Sequence, residues 1–253
     1  MDISGGKIIY FASDQHFGAP TKFLSKQRES IFIKWLEQIE KNAAAIFLLG
    51  DLFDFWFEYK TVIPKRYVRI LGKLASVADK GIPIHYFVGN HDLWMKDYFE
   101  TELNISVYHK QKEFIFNSKT FFIAHGDGLG PNDKGYKLIK KIFTNSLAKR
   151  LFQALHPDIG IRLGNYFSLK NKLITKDNDL VFMGEEKEWL ALYAKRKLKE
   201  KHRDYFIFGH RHIPMEIKLN ENSTYINLGD WVSHYTYATF DGSCLELKKW
   251  KVK

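Results

Sequence analysis

The stretch Gly50-Asp51-Leu52-Phe53-Asp54-Phe55-Trp56 decides the fold class, because of the run that precedes it and the place of its first carboxylate. That run, Ala43 to Leu49, is short, apolar and unbroken, which is typical of a buried parallel strand leading into a loop. Open α/β sheets bind their ligands outside the carboxyl ends of such strands. Asp51 therefore stands where a ligand site is expected.

The same arrangement recurs at four other points of the chain, where a short apolar run ends in Asp, Asn or His. A single Asp or His after a strand is usually a turn former or a helix cap. Five strand ends that all carry metal-binding residue types are hard to obtain by accident, so the sequence predicts one shared metal site. The side chains concerned are Asp14, His16, Asp51, Asn90, His125, His210 and His212.

This set offers oxygen and imidazole ligands and no thiolate. It suits two divalent ions such as Mn²⁺, Fe²⁺ or Zn²⁺ better than a structural zinc site, which favours cysteine. Two ions about 3.5–4 Å apart need a ligand that bridges them, and a carboxylate can do so where an imidazole cannot. Asp51, in the middle of the series, is the predicted bridge.

The order of elements predicts an α/β sandwich rather than a barrel or a helical bundle, because strands alternate with helices before a β-rich tail. Helical spacing is present over 30–39 and 66–78, and a hairpin is predicted around 117–119. The last fifty residues are β-rich, with Asp241-Gly242 as a hairpin turn. The strands predicted before that tail are 7–12, 43–49, 84–88, 114–116, 120–124 and 205–208.

Residues 130–185 interrupt this pattern, because they contain no metal-type motif and are basic and helical in composition. An apolar residue recurs at every fourth position, which predicts one apolar helix face, and Lys137 and other basic residues surround it. We expect a single domain over 1–253, in which 130–185 form an inserted helical lid. The apolar face either meets a ligand or packs the lid onto the body. Its members are Ile139, Phe143, Leu147, Leu151 and Leu155.

Composition narrows the class of protein. The chain has 253 residues, 45% of them hydrophobic, which is enough for one large domain, and its net charge of +10 predicts anionic partners such as nucleotides, phosphates, nucleic acid or an acidic membrane. Cys244 is the only cysteine, so an intramolecular disulfide is excluded and a reducing cytoplasm is expected. Residues 1–11 do not resemble a signal peptide, and no apolar run approaches the roughly 20 residues of a transmembrane helix. We therefore expect a soluble or peripheral membrane protein.

Five motifs occur in order between residues 14 and 212: Asp14-x-His16, Gly50-Asp51-x-x-Asp54, Gly89-Asn90-His91-Asp92, His125-Gly126-Asp127 and Gly209-His210-Arg211-His212. This set resembles that of the calcineurin-like metallophosphoesterases, which implies a four-layer α/β/β/α sandwich. It assigns one metal to Asp14, His16, Asp51 and His212, and the other to Asp51, Asn90, His125 and His210. In that family a hydroxide activated by both metals attacks phosphorus. The resemblance also implies that His91, oriented by Asp92, acts near the leaving group.

Three stretches, Gly50 to Trp56, Asp133-x-Gly135-Tyr136 and the helical insertion, are most similar to the UDP-2,3-diacylglucosamine pyrophosphohydrolases of lipid A synthesis. This resemblance implies Mn²⁺-dependent cleavage of the diphosphate of a UDP-linked acylated sugar, giving UMP and 2,3-diacylglucosamine 1-phosphate. It also implies an acyl-chain-binding lid and a cytoplasmic enzyme attached peripherally to the inner membrane. No nucleic acid partner is expected.

The resemblance also implies a set of substrate contacts, with one departure from the branch. Pyrophosphohydrolases commonly carry Arg where this chain has His91, and a His suits protonation of an alkoxide leaving group. A phosphodiesterase, nuclease or phosphatase using the same two metals is therefore the alternative. The implied contacts are Asn90, His91, Asp133, Tyr136, Ser168, Asn171, Lys172, Lys176 and His210.

Several neighbouring residues have two open interpretations. Arg211 either supplies positive charge to the substrate or is an exposed residue at a strand end. Phe53, Phe55 and Trp56 either belong to the core or line the approach to the lid. Asp54 is expected to support a metal ligand from behind, and His85 is expected to be a core histidine.

Overall fold

The computed structural model describes residues 3–20, 25–130, 140–141, 143–175, 181–182 and 184–252, with the backbone alone for 169–175. Its strands are β1 (Ile8–Ala12), β2 (Ala43–Leu48), β3 (Ile84–Phe87), β4 (Ser106–Tyr108), β5 (Lys112–Phe116), β6 (Lys119–Ile123), β7 (Tyr205–Phe208), β8 (Pro214–Asn220), β9 (Ser223–Leu228), β10 (Thr236–Phe240) and β11 (Leu245–Lys249). Its helices are α1 (Ser25–Ile39), α2 (Val68–Asp79), α3 (Tyr98–Thr101), α4 (Ser146–Gln153), α5 (Pro157–Thr175) and α6 (Trp189–Glu200).

The strands form two sheets. The first has the order β11-β10-β1-β2-β3-β4, with β1 to β4 parallel. The second has the order β5-β6-β7-β9-β8, with β6, β7 and β9 parallel. Parallel strands within a sheet end at the same edge, so each sheet collects three or more loops at one edge.

The two sheets pack face to face, and helices cover their outer faces. Along β1, Ile9 and Phe11 pack between the sheets, while Tyr10 and Ala12 pack against the helices α1 and α2. This alternation explains the unbroken apolar run, because both faces of the strand are buried. Helix α6 covers the outer face of the second sheet through residues such as Leu190. The predicted four-layer α/β/β/α sandwich is confirmed.

Four elements had no counterpart in the sequence prediction: α3, β4, β8 and α6. The edge strand β8 does alternate, with Met215 and Ile217 buried and Glu216 and Lys218 exposed. The hairpin between β5 and β6 was placed correctly, but its turn is two residues long. Asn117 and Ser118 both have positive φ, at 43° and 66°, as a tight hairpin turn with matching twist requires.

The predicted single apolar helix face is wrong. Asn145 starts a new helix, because its side chain accepts hydrogen bonds from the backbone N–H groups of Leu147 and Ala148 at 2.9 and 3.2 Å. Pro157 then begins α5, a position that suits proline. The apolar residues from 143 to 155 therefore lie on separate pieces, and Ile139 and Lys137 lie outside the described residues.

Residues 146–175, here called the α4–α5 segment, contact the body through a face of small residues on α5. Gly160, Gly164 and Ser168 are spaced four apart and are all buried. A Cβ atom at Gly164 would overlap the ring of Phe55, so this glycine is what lets the ring and the helix backbone approach. Phe55 is thus the aromatic residue of the opening stretch that reaches the segment. Phe53 and Trp56 belong to the core.

Candidate metal centre

The loops after β1, β2 and β7 bring one group of predicted ligands together. His16 Nε2 lies 3.8 Å from Asp14 Oδ1 and 3.7 Å from Asp51 Oδ2. His212 Nε2 lies 3.6 Å from Asp14 Oδ1 and 3.3 Å from His16 Nε2. Asp14, His16 and His212 form a compact cluster of donor atoms, here called the first cluster.

The loops after β2, β3, β6 and β7 form a second cluster. His125 Nε2 lies 3.5 Å from Asp51 Oδ2 and 3.2 Å from Asn90 Oδ1. Donor atoms of Asp51, His125 and His210 all lie within 4.8 Å of one another. Asp51 is therefore in contact distance of both clusters, the position that the sequence predicted for a bridging ligand.

Four of these residues have a left-handed backbone conformation, with φ of 58° at Asp14, 46° at His16, 54° at Asp51 and 67° at His210. Each such residue costs about 1–3 kcal/mol and persists only where the surroundings enforce it. The surroundings here are tight, because a Cβ atom at Gly89 would overlap the Asp51 carboxylate. Strain of this kind is typical of functional sites.

Two of the imidazole rings are held by acceptors on the side away from the clusters. His212 Nδ1 lies 3.3 Å from Asp230 Oδ2, and His125 Nδ1 lies 2.6 Å from the carbonyl oxygen of Leu49. His16 Nδ1 lies 3.4 Å from Asp54 Oδ1 without forming a hydrogen bond to it. An acceptor at Nδ1 favours a proton there, which leaves the Nε2 lone pair directed at the cluster. Asp54 occupies the supporting position expected for it.

Divalent cations fit these donors. The Nε2 atoms of His16 and His212 face each other at 3.3 Å. Asp14 Oδ1 is buried and has no hydrogen-bond partner among the described residues. Buried polar atoms are nearly always partnered, so a cation between the three atoms would satisfy all of them. The donor set supports divalent metal binding.

In the metal-free centre the carboxylates and imidazoles stabilise each other's charged forms. Burial raises the pKa of Asp51, but the nearby His125 and His91 hold it well below its usual range. Burial lowers the pKa of His125, but the Asp51 carboxylate outweighs it and raises the pKa to about 10. Asp51 is therefore ionised at neutral pH, as a metal ligand must be.

His91 is oriented differently from the expectation. Its Nδ1 lies 2.8 Å from the carbonyl oxygen of Asp54 and 3.2 Å from Ser168 Oγ. Asp92 instead accepts hydrogen bonds from the Gly89 N–H, at 2.6 Å, and from the Tyr86 hydroxyl. The expectation that Asp92 orients His91 is wrong, because Asp54 provides the acceptor. Burial and the neighbouring Asp51 raise the pKa of Asp92 to about 7.

The predicted substrate contacts have three outcomes. Asn90, His91 and His210 lie at the clusters. Ser168 on α5 lies 3.2 Å from His91 Nδ1, and its hydroxyl donates to Asp54 Oδ2 at 2.9 Å. For Asn171 and Lys172 the structure describes only the backbone. The remaining predicted contacts lie entirely outside the described residues, and they are Asp133, Tyr136 and Lys176.

Two residues beside the clusters were misread or missed. Arg211 is not an exposed strand-end residue: it is 3% exposed and forms a bidentate ion pair with Glu188 at 2.9 and 3.1 Å. Asp230 follows β9 and contacts His212. The sequence does contain a pattern that points to Asp230, because Gly229-Asp230 follows an apolar run as Gly50-Asp51 does.

The outlying histidine His85 agrees with its prediction. Its Nδ1 lies 3.0 Å from the hydroxyl of Tyr108, and its ring stacks on Phe47 with centroids 4.4 Å apart. Burial, with a smaller effect of Lys112, lowers its pKa to about 4. His85 is thus a neutral core histidine at neutral pH.

Comparisons with known proteins agree with this geometry. The family model "Calcineurin-like phosphoesterase" matches residues 8–214. A UDP-2,3-diacylglucosamine hydrolase from Porphyromonas gingivalis (strain ATCC BAA-308 / W83) is 35% identical over 252 residues, covering 95% of this chain and 96% of that protein. One from Wigglesworthia glossinidia brevipalpis is 28% identical, covering 94% and 90%. A dimetal phosphatase from Danio rerio shares the fold, with a TM-score of 0.51, 12% identity and coverage of 93% and 92%.

The described residues were also searched for membrane-crossing helices. None of the helices found in them is both long enough and apolar enough to span a bilayer.

Proposed function

The chain belongs to the calcineurin-like phosphoesterase family and is a hydrolase of phosphate bonds, and from that premise we propose that it cleaves the diphosphate of UDP-2,3-diacylglucosamine. The products are UMP and 2,3-diacylglucosamine 1-phosphate, in lipid A synthesis. The observation that carries this substrate is that Ser168 on the α4–α5 segment reaches both Asp54 and His91. That contact puts an apolar helical segment directly beside the metal centre, an arrangement suited to an acylated substrate.

In this proposal the first metal is held by Asp14, His16, Asp51 and His212, and the second by Asp51, Asn90, His125 and His210. Mn²⁺ suits this mixture of oxygen and imidazole donors without thiolate. Bound there, the two cations would lower the pKa of the attacking water and neutralise charge on the phosphoryl oxygens.

His91 is the proposed catalytic residue of the chain itself. Its Nδ1–H donates to the carbonyl oxygen of Asp54, and a nitrogen of its ring lies within 4.8 Å of donor atoms of His16 and Asp51. A doubly protonated imidazole carries a positive charge and two donors. It would therefore stabilise the departing phosphate as an arginine does, and it would also protonate an alkoxide. A role of Asp92 in turnover stays a prediction.

The α4–α5 segment is proposed to be the central part of an inserted lid over 130–185, within a single domain over 1–253. Its exposed side chains support acyl-chain binding, since large apolar groups are rarely exposed together without a partner. Phe143 packs on Trp94, with ring centroids 5.3 Å apart, so part of the apolar pattern instead attaches the segment to the body. The exposed residues, between 38% and 64% accessible, are Leu147, Leu151, Ile159, Leu163, Tyr166 and Phe167.

The same surface supports peripheral attachment to the cytoplasmic face of the inner membrane. Arg150 and Arg162 are exposed on α4 and α5 beside the apolar side chains. A surface that combines basic and apolar groups binds the boundary of an anionic bilayer. The net charge of +10 also favours binding to an anionic membrane surface.

The direct test supplies the metal-free protein with UDP-2,3-diacylglucosamine and Mn²⁺ and measures UMP. We expect UMP release with Mn²⁺ and none in excess chelator, and the Asp51→Asn variant serves as the inactive control. Hydrolysis of a simple phosphodiester such as bis-p-nitrophenyl phosphate, without UMP release, would instead establish a phosphodiesterase. The position of His91, which suits protonation of an alkoxide, makes that the second candidate.

A further inference from the structure

A sixth parallel strand also ends at the metal centre, and a carboxylate follows it. Asp230 follows β9 and is 1% exposed. Its Oδ2 lies 3.3 Å from His212 Nδ1, on the side of the ring opposite the first cluster. A carboxylate oxygen can only accept, so Asp230 favours a proton on that nitrogen.

The Asp230 carboxylate is held rigidly from its other side. Its Oδ1 accepts hydrogen bonds from the backbone N–H groups of Ser233 and His234, both at 2.8 Å. The next residue, Trp231, donates its N–H to the carbonyl oxygen of Asp14 at 3.1 Å. The loop after β9 is thus attached to two residues of the first cluster, one through a side chain and one through the backbone.

We propose that Asp230 is a positioning residue that holds His212 with its proton on Nδ1 and its Nε2 lone pair directed at the first cluster. This inference rests on the proposed role of His212 as a metal ligand. The physical reason is that a carboxylate can only accept, so the ring must donate from Nδ1 to make the bond. A turn-forming role alone would account for the bonds to 233 and 234 and would leave His212 free to choose its tautomer.

Asp230→Asn separates the two roles, because an amide has one accepting and one donating end. With the oxygen toward Ser233 and His234, the amide N–H₂ faces His212 and favours the wrong tautomer, whose Nε2–H cannot bind a metal. We expect the Mn²⁺ affinity of one of two sites to fall by about 10–100-fold, the usual effect of losing such a partner. Isothermal titration of the full-length, metal-free protein with Mn²⁺ measures this without any substrate.

Asp241→Asn is the matched control. Asp241 also follows a strand, and its Oδ1 also accepts two backbone N–H groups, from Ser243 and Cys244 at 2.8 Å, but it contacts no imidazole among the described residues. We expect the control to bind Mn²⁺ as the wild type does. If the wild type and Asp230→Asn bind Mn²⁺ equally, the positioning role of Asp230 is overturned, while the metal centre itself is not. Absence of Mn²⁺ binding in the wild type overturns the metal centre itself.

A measurement on the wild type decides the question if Asp230→Asn does not fold. Long-range proton–nitrogen NMR of the metal-free protein distinguishes the two neutral tautomers of a histidine, and His212→Gln identifies the His212 signals by their loss. We expect the Nδ1–H tautomer at His212. Finding the Nε2–H tautomer there would contradict the proposal.

Discussion

Ser168 on helix α5 donates a hydrogen bond from Oγ to Asp54 Oδ2 at 2.9 Å, and the other oxygen of Asp54 lies 3.4 Å from His16 Nδ1. The helical segment is therefore hydrogen-bonded to a carboxylate that lies beside a candidate metal ligand. Because such coupling is reciprocal, the position of the segment and the affinity for metal depend on each other.

Replacing Ser168 with Ala tests this connection. Loss of the hydroxyl removes a buried hydrogen bond worth about 1 kcal/mol, and it loosens the carboxylate behind His16. We expect a moderate fall in Mn²⁺ affinity, up to about 10-fold, measured by calorimetry. We also expect Mn²⁺ to protect the α4–α5 segment from limited proteolysis in the wild type more than in the variant. Ser146→Ala, at an exposed position of the same segment, is the control, and identical metal binding by all three proteins would refute the coupling.

Asp51→Asn and His91→Ala should fail in different ways. Asp51 contacts both clusters, so its loss should weaken the binding of both metals and lower the rate by more than about 100-fold. His91 is proposed to act on the substrate, so His91→Ala should retain two metals while its kcat falls about 10²–10⁴-fold. Metal content by elemental analysis and UMP release distinguish the two. Full metal occupancy and full rate in Asp51→Asn would show that it is not the bridge.

Gly164→Ala tests how α5 is seated. The added methyl group would overlap the Phe55 ring, so we expect the helix to shift and the activity on the acylated substrate to fall. The companion change Phe55→Leu, which shortens the ring, should restore part of the loss. Gly72→Ala on α2 is the control, because open space surrounds that position and the change should stabilise the protein by about 0.4–1 kcal/mol. Unchanged activity in Gly164→Ala would mean that the contact with Phe55 does not set the helix position.

The lowered pKa of His85 predicts a pH dependence of stability. Its folded pKa of about 4 lies below that of an unfolded histidine, so protonation favours the unfolded state. The free energy of unfolding should be insensitive to His85 above about pH 6.5 and should decrease as the pH falls from there towards the folded value. Between about pH 7.5 and pH 5 the loss attributable to this partly exposed residue is about 1 kcal/mol. Urea unfolding in chelator of the wild type and His85→Gln measures it, since the variant lacks this dependence; equal slopes against pH would contradict the assignment.

The sequence by itself determined the fold class and the positions of the candidate ligands. Both follow from local patterns: an apolar run such as Ala43 to Leu49 specifies a buried strand, and the residue after it must lie at the strand's carboxyl end. Asp51 was placed between the two clusters for that reason. The same pattern is present at Asp230, because Gly229-Asp230 follows the run Tyr225 to Leu228 as Gly50-Asp51 follows Ala43 to Leu49.

Only the tertiary structure decided which groups stand behind those ligands. Ser168 and Asp54 are 114 residues apart in the chain, and Gly164 meets Phe55 across a similar distance. Neither pair shares a local pattern, because their contacts depend on how α5 packs on the loop after β2. Asp92 shows the same limit: its neighbour His91 is adjacent in sequence, yet the strand end turns the two side chains to different partners. Spacing along the chain identifies donors, whereas packing selects the atoms that orient them.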